Sequence, residues 1–241
     1  MNKILVIDDE RPTLSMFQLF LGAYGYDVFV AENGKQGLEV FRRERPPIVL
    51  TDIKMPGMDG LEVLKRIKEI DPLTEVIVIT GHGDMDIAIQ ALNLNATDFI
   101  NKPIQKDALD SALKRARERL RLAQTREEKV MSKILDDVTL VEVRGNITSR
   151  SGSLLVAEYE KALKSKTSKI IIHFDENSSI SGDGIAILTR LFSQSEEEGR
   201  AVAITGLSEN FRRVFNMVGI TKFVKIYDTC KEAMAGLEHR N

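Results

Sequence analysis

The run Ile48-Val49-Leu50-Thr51-Asp52 restricts the fold most. Four residues rich in apolar and β-branched types show no polar alternation, so they read as a strand covered on both faces. The run ends on a carboxylate, and a loop punctuated by Pro56, Gly57 and Gly60 opens directly behind it. In open α/β sheets, ligands and chemistry collect beyond the carboxyl ends of the strands, which is where Asp52 falls.

The same pattern recurs. Ile4-Leu5-Val6-Ile7 runs into Asp8, Asp9 and Glu10. Val76-Ile77-Val78-Ile79 ends in Thr80-Gly81, and Asp98-Phe99-Ile100-Asn101 ends in Lys102-Pro103. Tyr26 to Ala31 is a further strand. Apolar residues between the strands keep helical spacing: Leu14, Phe17, Leu21 and Tyr24 behind Pro12; Leu38 and Phe41; Leu61, Leu64, Ile67 and Ile70 before Asp71-Pro72; Ile87, Ala91 and Leu94. Asn95 then stands where a left-handed helix cap is expected. Five strands alternating with helices predict a parallel sheet with helices on both faces.

That topology carries Asp8, Asp9, Asp52, Thr80 and Lys102 to one edge, each at the end of its strand. An aspartate at a strand end is usually a turn residue, but this many polar residues at matching positions on four strands are not explained as turns. Close carboxylates repel by about 4 kcal/mol per pair at an effective dielectric near 20 and need a cation. Asp8, Asp9 and Asp52 offer hard oxygen donors, which suit Mg²⁺ with retained waters rather than zinc.

The remaining composition excludes several classes. The chain has 241 residues, 43 % hydrophobic and 29 % charged, enough for two domains with real cores. A net charge of −2 argues against wholesale nucleic-acid binding. A single cysteine, Cys230, rules out a disulfide framework, and three scattered histidines show no metal-ligand spacing. His82 is assigned to a loop without a role. No apolar run reaches the roughly 18 residues of a membrane helix, and no signal peptide is evident, so a cytoplasmic protein is expected.

From Asn2 to about Arg119 the chain resembles the receiver domain of two-component response regulators. The resemblance rests on Asp8-Asp9, the Asp52 loop with Met55-Pro56-Gly57-Met58-Asp59-Gly60, Thr80-Gly81, and Phe99 with Lys102-Pro103. It implies a flavodoxin-like, doubly wound sheet of order 2-1-3-4-5. It also implies that Asp52 accepts a phosphoryl group from a sensor histidine kinase. Asp9, Asp52 and the backbone carbonyl of Lys54 would hold Mg²⁺, with Asp8 as a further participant. Lys102 would neutralise phosphoryl charge, and Thr80 and Phe99 would form the switch.

Beyond Lys106 the sequence is strongly helical, with no Pro or Gly between Pro103 and Gly145. Leu113, Ala116, Leu120, Ala123, Glu127, Val130 and Ile134 alternate spacings of three and four. The expectation is one long helix to roughly Asp136, forming a parallel homodimer stalk through 113–134; the rival reading is a single helix packed on its own domain.

Val138 onward reads as a second α/β domain. Strands are expected at Val138–Gly145, Lys169–Phe174, Ala201–Ile204 and Phe223–Ile226, with helices over Leu154–Leu163, from Gly184, over Glu209–Val218 and over Thr229–Leu237. It contains no catalytic constellation. The hydroxyl-rich loop before Gly184 delivers polar residues to a helix N-terminus, where capping by Ser181 or Asp183 is the simplest use and anion binding the alternative. From about Val138 to Leu237, and especially at Ile170-Ile171-Ile172 and Ser181-Gly182-Asp183-Gly184, the chain resembles the STAS domain of anti-anti-sigma factors. It departs from that pattern at the phosphorylatable serine, here Gly182, and at the Asp that usually ends the preceding strand, here His173.

The expected organisation is a receiver over 1–120, a helical linker over 121–137 and a STAS-like output domain over 138–241. The expected function is phosphorelay signalling. Asp52 would control protein binding around Ser179, Ser181, Gly182 and Asp183, with an anti-sigma factor of the serine-kinase type as partner. No enzyme activity is expected beyond phosphorylation and dephosphorylation at Asp52, and no nucleic acid or membrane partner. The alternatives are a nucleotide or small ligand bound by the STAS-like domain, and a dimeric scaffold outside any sigma-factor pathway.

Overall fold

The computed structural model describes residues 2–81, 83–125, 129–165 and 167–238, so His82 and Glu127 lie outside the described residues. The chain divides into two units, 1–124 and 125–241.

In the first unit, β1 (Lys3–Ile7), α1 (Arg11–Ala23), β2 (Asp27–Ala31), α2 (Gly34–Glu44), β3 (Ile48–Asp52), α3 (Gly60–Ile70), β4 (Glu75–Thr80), α4 (Met85–Asn93), β5 (Asp98–Asn101) and α5 (Lys106–Thr125) follow in turn. The strands lie in the order β2-β1-β3-β4-β5 and all pair in parallel. Alternate strand residues sort to opposite faces. Ile4, Val6, Ile48, Leu50, Ile77, Ile79 and Ile100 form one buried cluster with Leu14, Phe17 and Leu21 of α1 and with Leu109, Ala112, Leu113 and Ala116 of α5. On the other face α2 comes so close to Ile7 that a Cβ at Gly37 would strike that side chain. Asn95 closes α4 with φ +63°, as its position in the sequence implies.

The second unit runs through β6 (Lys129–Leu135), β7 (Val138–Arg144), β8 (Asn146–Ile147), α6 (Ser149–Lys164), β9 (Lys169–Phe174), β10 (Ser179–Ile180), α7 (Gly182–Glu197), β11 (Ala201–Thr205), α8 (Glu209–Met217), a 3-10 turn (Ile220–Lys222), β12 (Lys225–Tyr227) and α9 (Cys230–Glu238). Its main sheet has the order β12-β11-β9-β7-β6, parallel except for the β6 edge, while β8 and β10 pair separately. Ala233 and Leu237 of α9 cover Val138, Leu140, Ile171 and Ala203. The rings of Tyr159 on α6 and Phe192 on α7 meet edge-on at 6.4 Å.

The long stalk helix is not formed. Helix α5 stops at Thr125 and the chain is extended from Lys129, so Val130 and Ile134 lie on β6. The cause is a hairpin: β6 pairs antiparallel with β7 from Lys129↔Arg144 to Leu135↔Val138, and the chain reverses over Asp136-Asp137 with Asp136 at φ +53°. Leu113 and Ala116 are committed to the first unit's core, so the seam expected through 113–134 does not exist as one face. The linker expected over 121–137 is likewise divided between α5 and β6. The last strand also shifts, to Lys225–Tyr227, because the 3-10 turn behind Gly219 takes the chain up to Phe223.

Candidate functional site

Strands β1, β3, β4 and β5 deliver Asp8, Asp52, Thr80 and Lys102 to their common carboxyl edge. Asp8 is 0 % and Asp52 4 % exposed, whereas Asp9 faces solvent. The Lys102 ammonium joins the two buried carboxylates, 3.1 Å from Asp52 Oδ1 and 3.4 Å from Asp8 Oδ2. Asp8 Oδ1 also accepts the Glu10 amide at 2.8 Å, which fixes its rotamer.

The Asp52 loop is built to sit close. Asp59 caps α3 by accepting the Glu62 amide at 2.8 Å. The first residue of that helix, Gly60, abuts the Asp52 carbonyl, and any Cβ there would collide with it. The exposed Lys54 side chain pairs with Asp84 at 2.7 Å, linking this loop to the one behind β4.

Burial pushes the Asp52 carboxyl above its usual range; the Lys102 hydrogen bond and charge oppose this, and the charges of Asp8 and Asp9 add to it. Burial likewise raises Asp8, against the Glu10 amide and Lys102. For Lys102, burial acts against the ammonium, but the Asp52 hydrogen bond and the Asp52, Asp8 and Glu10 charges outweigh it and the pKa rises. One ammonium thus serves two buried carboxylates, with Asp9 adding a third negative charge nearby. This excess of hard oxygen charge fits a divalent cation of the Mg²⁺ type. Among the described residues, no three His, Cys, Asp or Glu side chains converge as a metal cage.

Thr80 is 1 % exposed, and its hydroxyl donates to Asn101 Oδ1 at 3.0 Å and lies 3.3 Å from the Gly81 carbonyl. Phe99 is buried, and its amide donates to Asp98 Oδ1 at 2.9 Å. Sequence reasoning missed Asn101, the Lys54–Asp84 pair and the Asp98–Arg115 pair. Only the strand register would have found the first, since Thr80 and Asn101 are cross-strand partners.

In the second unit the candidate serines are internal. Ser181 Oγ accepts the Gly184 amide at 3.2 Å and donates to the Ile147 carbonyl at 3.1 Å, while Ser179 Oγ donates to Asn146 Oδ1 at 2.9 Å. Both serines are buried, Gly182 is half-buried and Asp183 is exposed at the start of α7. His173 at the end of β9 meets Thr205 Oγ1 at 2.9 Å.

A family model for the response regulator receiver domain matches residues 4–114, and one for the STAS domain matches 129–233. Sporulation initiation phosphotransferase F of Bacillus subtilis is 39 % identical over 114 residues, 47 % of this chain and 92 % of that protein. Transcriptional regulatory protein GlrR of Escherichia coli is 34 % identical over 161 residues, 62 % of this chain but only 36 % of that regulator's length. A solved receiver domain from Clostridium thermocellum is 38 % identical over 51 % of this chain and 99 % of its own, with a TM-score of 0.49. No helix among the described residues is long and apolar enough to cross a membrane. The receiver relatives support phosphorelay signalling, and the second domain supports a partner-binding role. The chain belongs to the response regulators, as a receiver domain followed by a STAS domain.

Proposed function

We propose that Asp52 is the phosphoacceptor of this chain and that its phosphorylation controls protein binding by the STAS domain. The observation that carries this reading is the Lys102 ammonium held between Asp52 and the buried Asp8. An Asp52 oxygen attacks the phosphorus of a phosphohistidine or acyl phosphate, the bond to the donor breaks, and an aspartyl phosphate forms. Lys102 then stands beside the new phosphoryl oxygens and neutralises part of their charge. Asp9, Asp52 and the Lys54 backbone carbonyl would hold Mg²⁺ with Asp8 alongside, and the bound ion supplies further positive charge at the transferring group. Thr80 leaves its resting partner to meet the phosphoryl group, and Phe99 fills the space released.

The output partner is a protein, and the reading we favour is an anti-sigma factor of the serine-kinase type. The α7 N-terminus is already capped by Ser181, and Gly184 is pressed against the Ile147 carbonyl, which favours a protein surface over a small ligand seated there. With Gly182 at the position where related domains carry a serine, Asp52 is the natural input.

The test is incubation with Mg²⁺ and acetyl phosphate, followed by intact mass measurement. One phosphoryl adduct is expected, absent in Asp52→Asn. An undiminished adduct in that variant sinks the assignment. Partner binding that is the same for phosphorylated and unphosphorylated chain sinks the coupling.

A further inference from the structure

We infer that Asn101 is a positioning residue for the switch: it holds the Thr80 hydroxyl in its resting orientation and so opposes the phosphorylated arrangement. This rests on the reading of Asp52 and Thr80 above. Thr80 and Asn101 are directly opposed in the β4–β5 register. The Thr80 hydroxyl, on a residue 1 % exposed, donates to the half-buried Asn101 Oδ1 at 3.0 Å. A threonine hydroxyl has one hydrogen to give. To donate to a phosphoryl oxygen on Asp52, it must withdraw that hydrogen from Asn101, its nearer acceptor, and from the Gly81 carbonyl at 3.3 Å.

The backbone keeps Asn101 in place for this role. The Lys102 amide donates to the Thr80 carbonyl at 2.7 Å, so the ends of β4 and β5 stay joined whatever side chain stands at 101. Phe99 and Asn101 are two residues apart on one strand and so share a face of β5. The side chain that restrains Thr80 is therefore on the same face as the aromatic that responds to its movement. The role is confined to bias: Asn101 acts through Thr80.

A ligand that requires the switched state binds more weakly by the free energy needed to reach that state. One neutral hydrogen bond corresponds to a factor of about two to ten. Beryllofluoride with Mg²⁺, titrated into the full chain, is the probe, read by the dissociation constant and by the Thr80 methyl resonance. Asn101→Ala and the near-isosteric Asn101→Leu are each expected to bind about two- to tenfold more tightly than the natural chain. Their Thr80 methyl should move toward the bound position before any beryllofluoride is added. In a Thr80→Val background, the same substitutions should change affinity by less than about twofold, because no hydroxyl remains to be restrained. Unchanged affinity in both Asn101 variants overturns the inference, and so does an equal gain in the Thr80→Val background. Beryllofluoride binding that survives Asp52→Asn overturns the Asp52 reading instead.

Discussion

Arg115 on α5 donates from Nε to the Asp98 carboxylate on β5 at 2.7 Å, with the aspartate side chain fully buried and the arginine nearly so. The other carboxylate oxygen takes the amide of Phe99, so one side chain anchors both the helix and the switch strand. Removing one partner of a buried pair costs about 3–5 kcal/mol, even where the intact pair contributes little net stability. Arg115→Met should destabilise the receiver by that amount in urea unfolding. The double variant with Asp98→Asn should recover part of the loss, because the buried charge is removed along with its partner.

Asp52 and Asp8 both have carboxyl pKa values raised in the folded protein, burial being the first cause. For an acid raised on folding, the charged form burdens the fold. The burden is full above the folded pKa and disappears as pH falls toward the unfolded value. Asp52→Asn should therefore raise the melting temperature at pH 7, and the advantage over the natural chain should shrink on acidification. Mg²⁺ should stabilise the natural chain by mass action and do so much less in the variant. Scanning calorimetry at several pH values reads both effects.

The receiver's edge was legible because the strands that carry it, β1, β3, β4 and β5, are buried on both faces. Continuous apolar runs such as Val76–Ile79 mark the strand, and the first polar residue marks where it emerges. Other features needed three dimensions. Asp98 and Arg115 are 17 residues apart, and nothing local signals that they meet. Asn101 gains its role only from the register with Thr80. The stalk was misread because Val130 and Ile134 satisfy a spacing of four as readily as a period of two. The deciding signal was Asp136-Asp137 between two alternating runs, a hairpin turn rather than part of a helix.

The fate of Leu113 separates the two readings of that segment. It is 1 % exposed and packs with Ile79 and Ile100 in the receiver core. Leu113→Ala should cost about 2–5 kcal/mol of receiver stability through the cavity left behind. Its sedimentation coefficient should match that of the natural chain. A stalk residue would behave in the opposite way, weakening association while leaving each receiver stable.

Ser181 is the closest serine to the position that carries the phosphorylatable one in related domains, yet its surroundings are those of a cap. It is 3 % exposed, accepts the Gly184 amide and donates to the Ile147 carbonyl. Removing an N-cap hydroxyl costs about 0.5–2 kcal/mol, and here the Ile147 carbonyl loses a donor as well. Ser181→Ala should accordingly lower the unfolding midpoint of the STAS domain while leaving phosphoryl transfer to Asp52 at its natural rate. If Ser181 were instead the input for a second signal, the substitution would abolish phosphoryl incorporation into the STAS domain by the partner kinase. Intact mass and urea titration on the same variant distinguish a cap from a modification site.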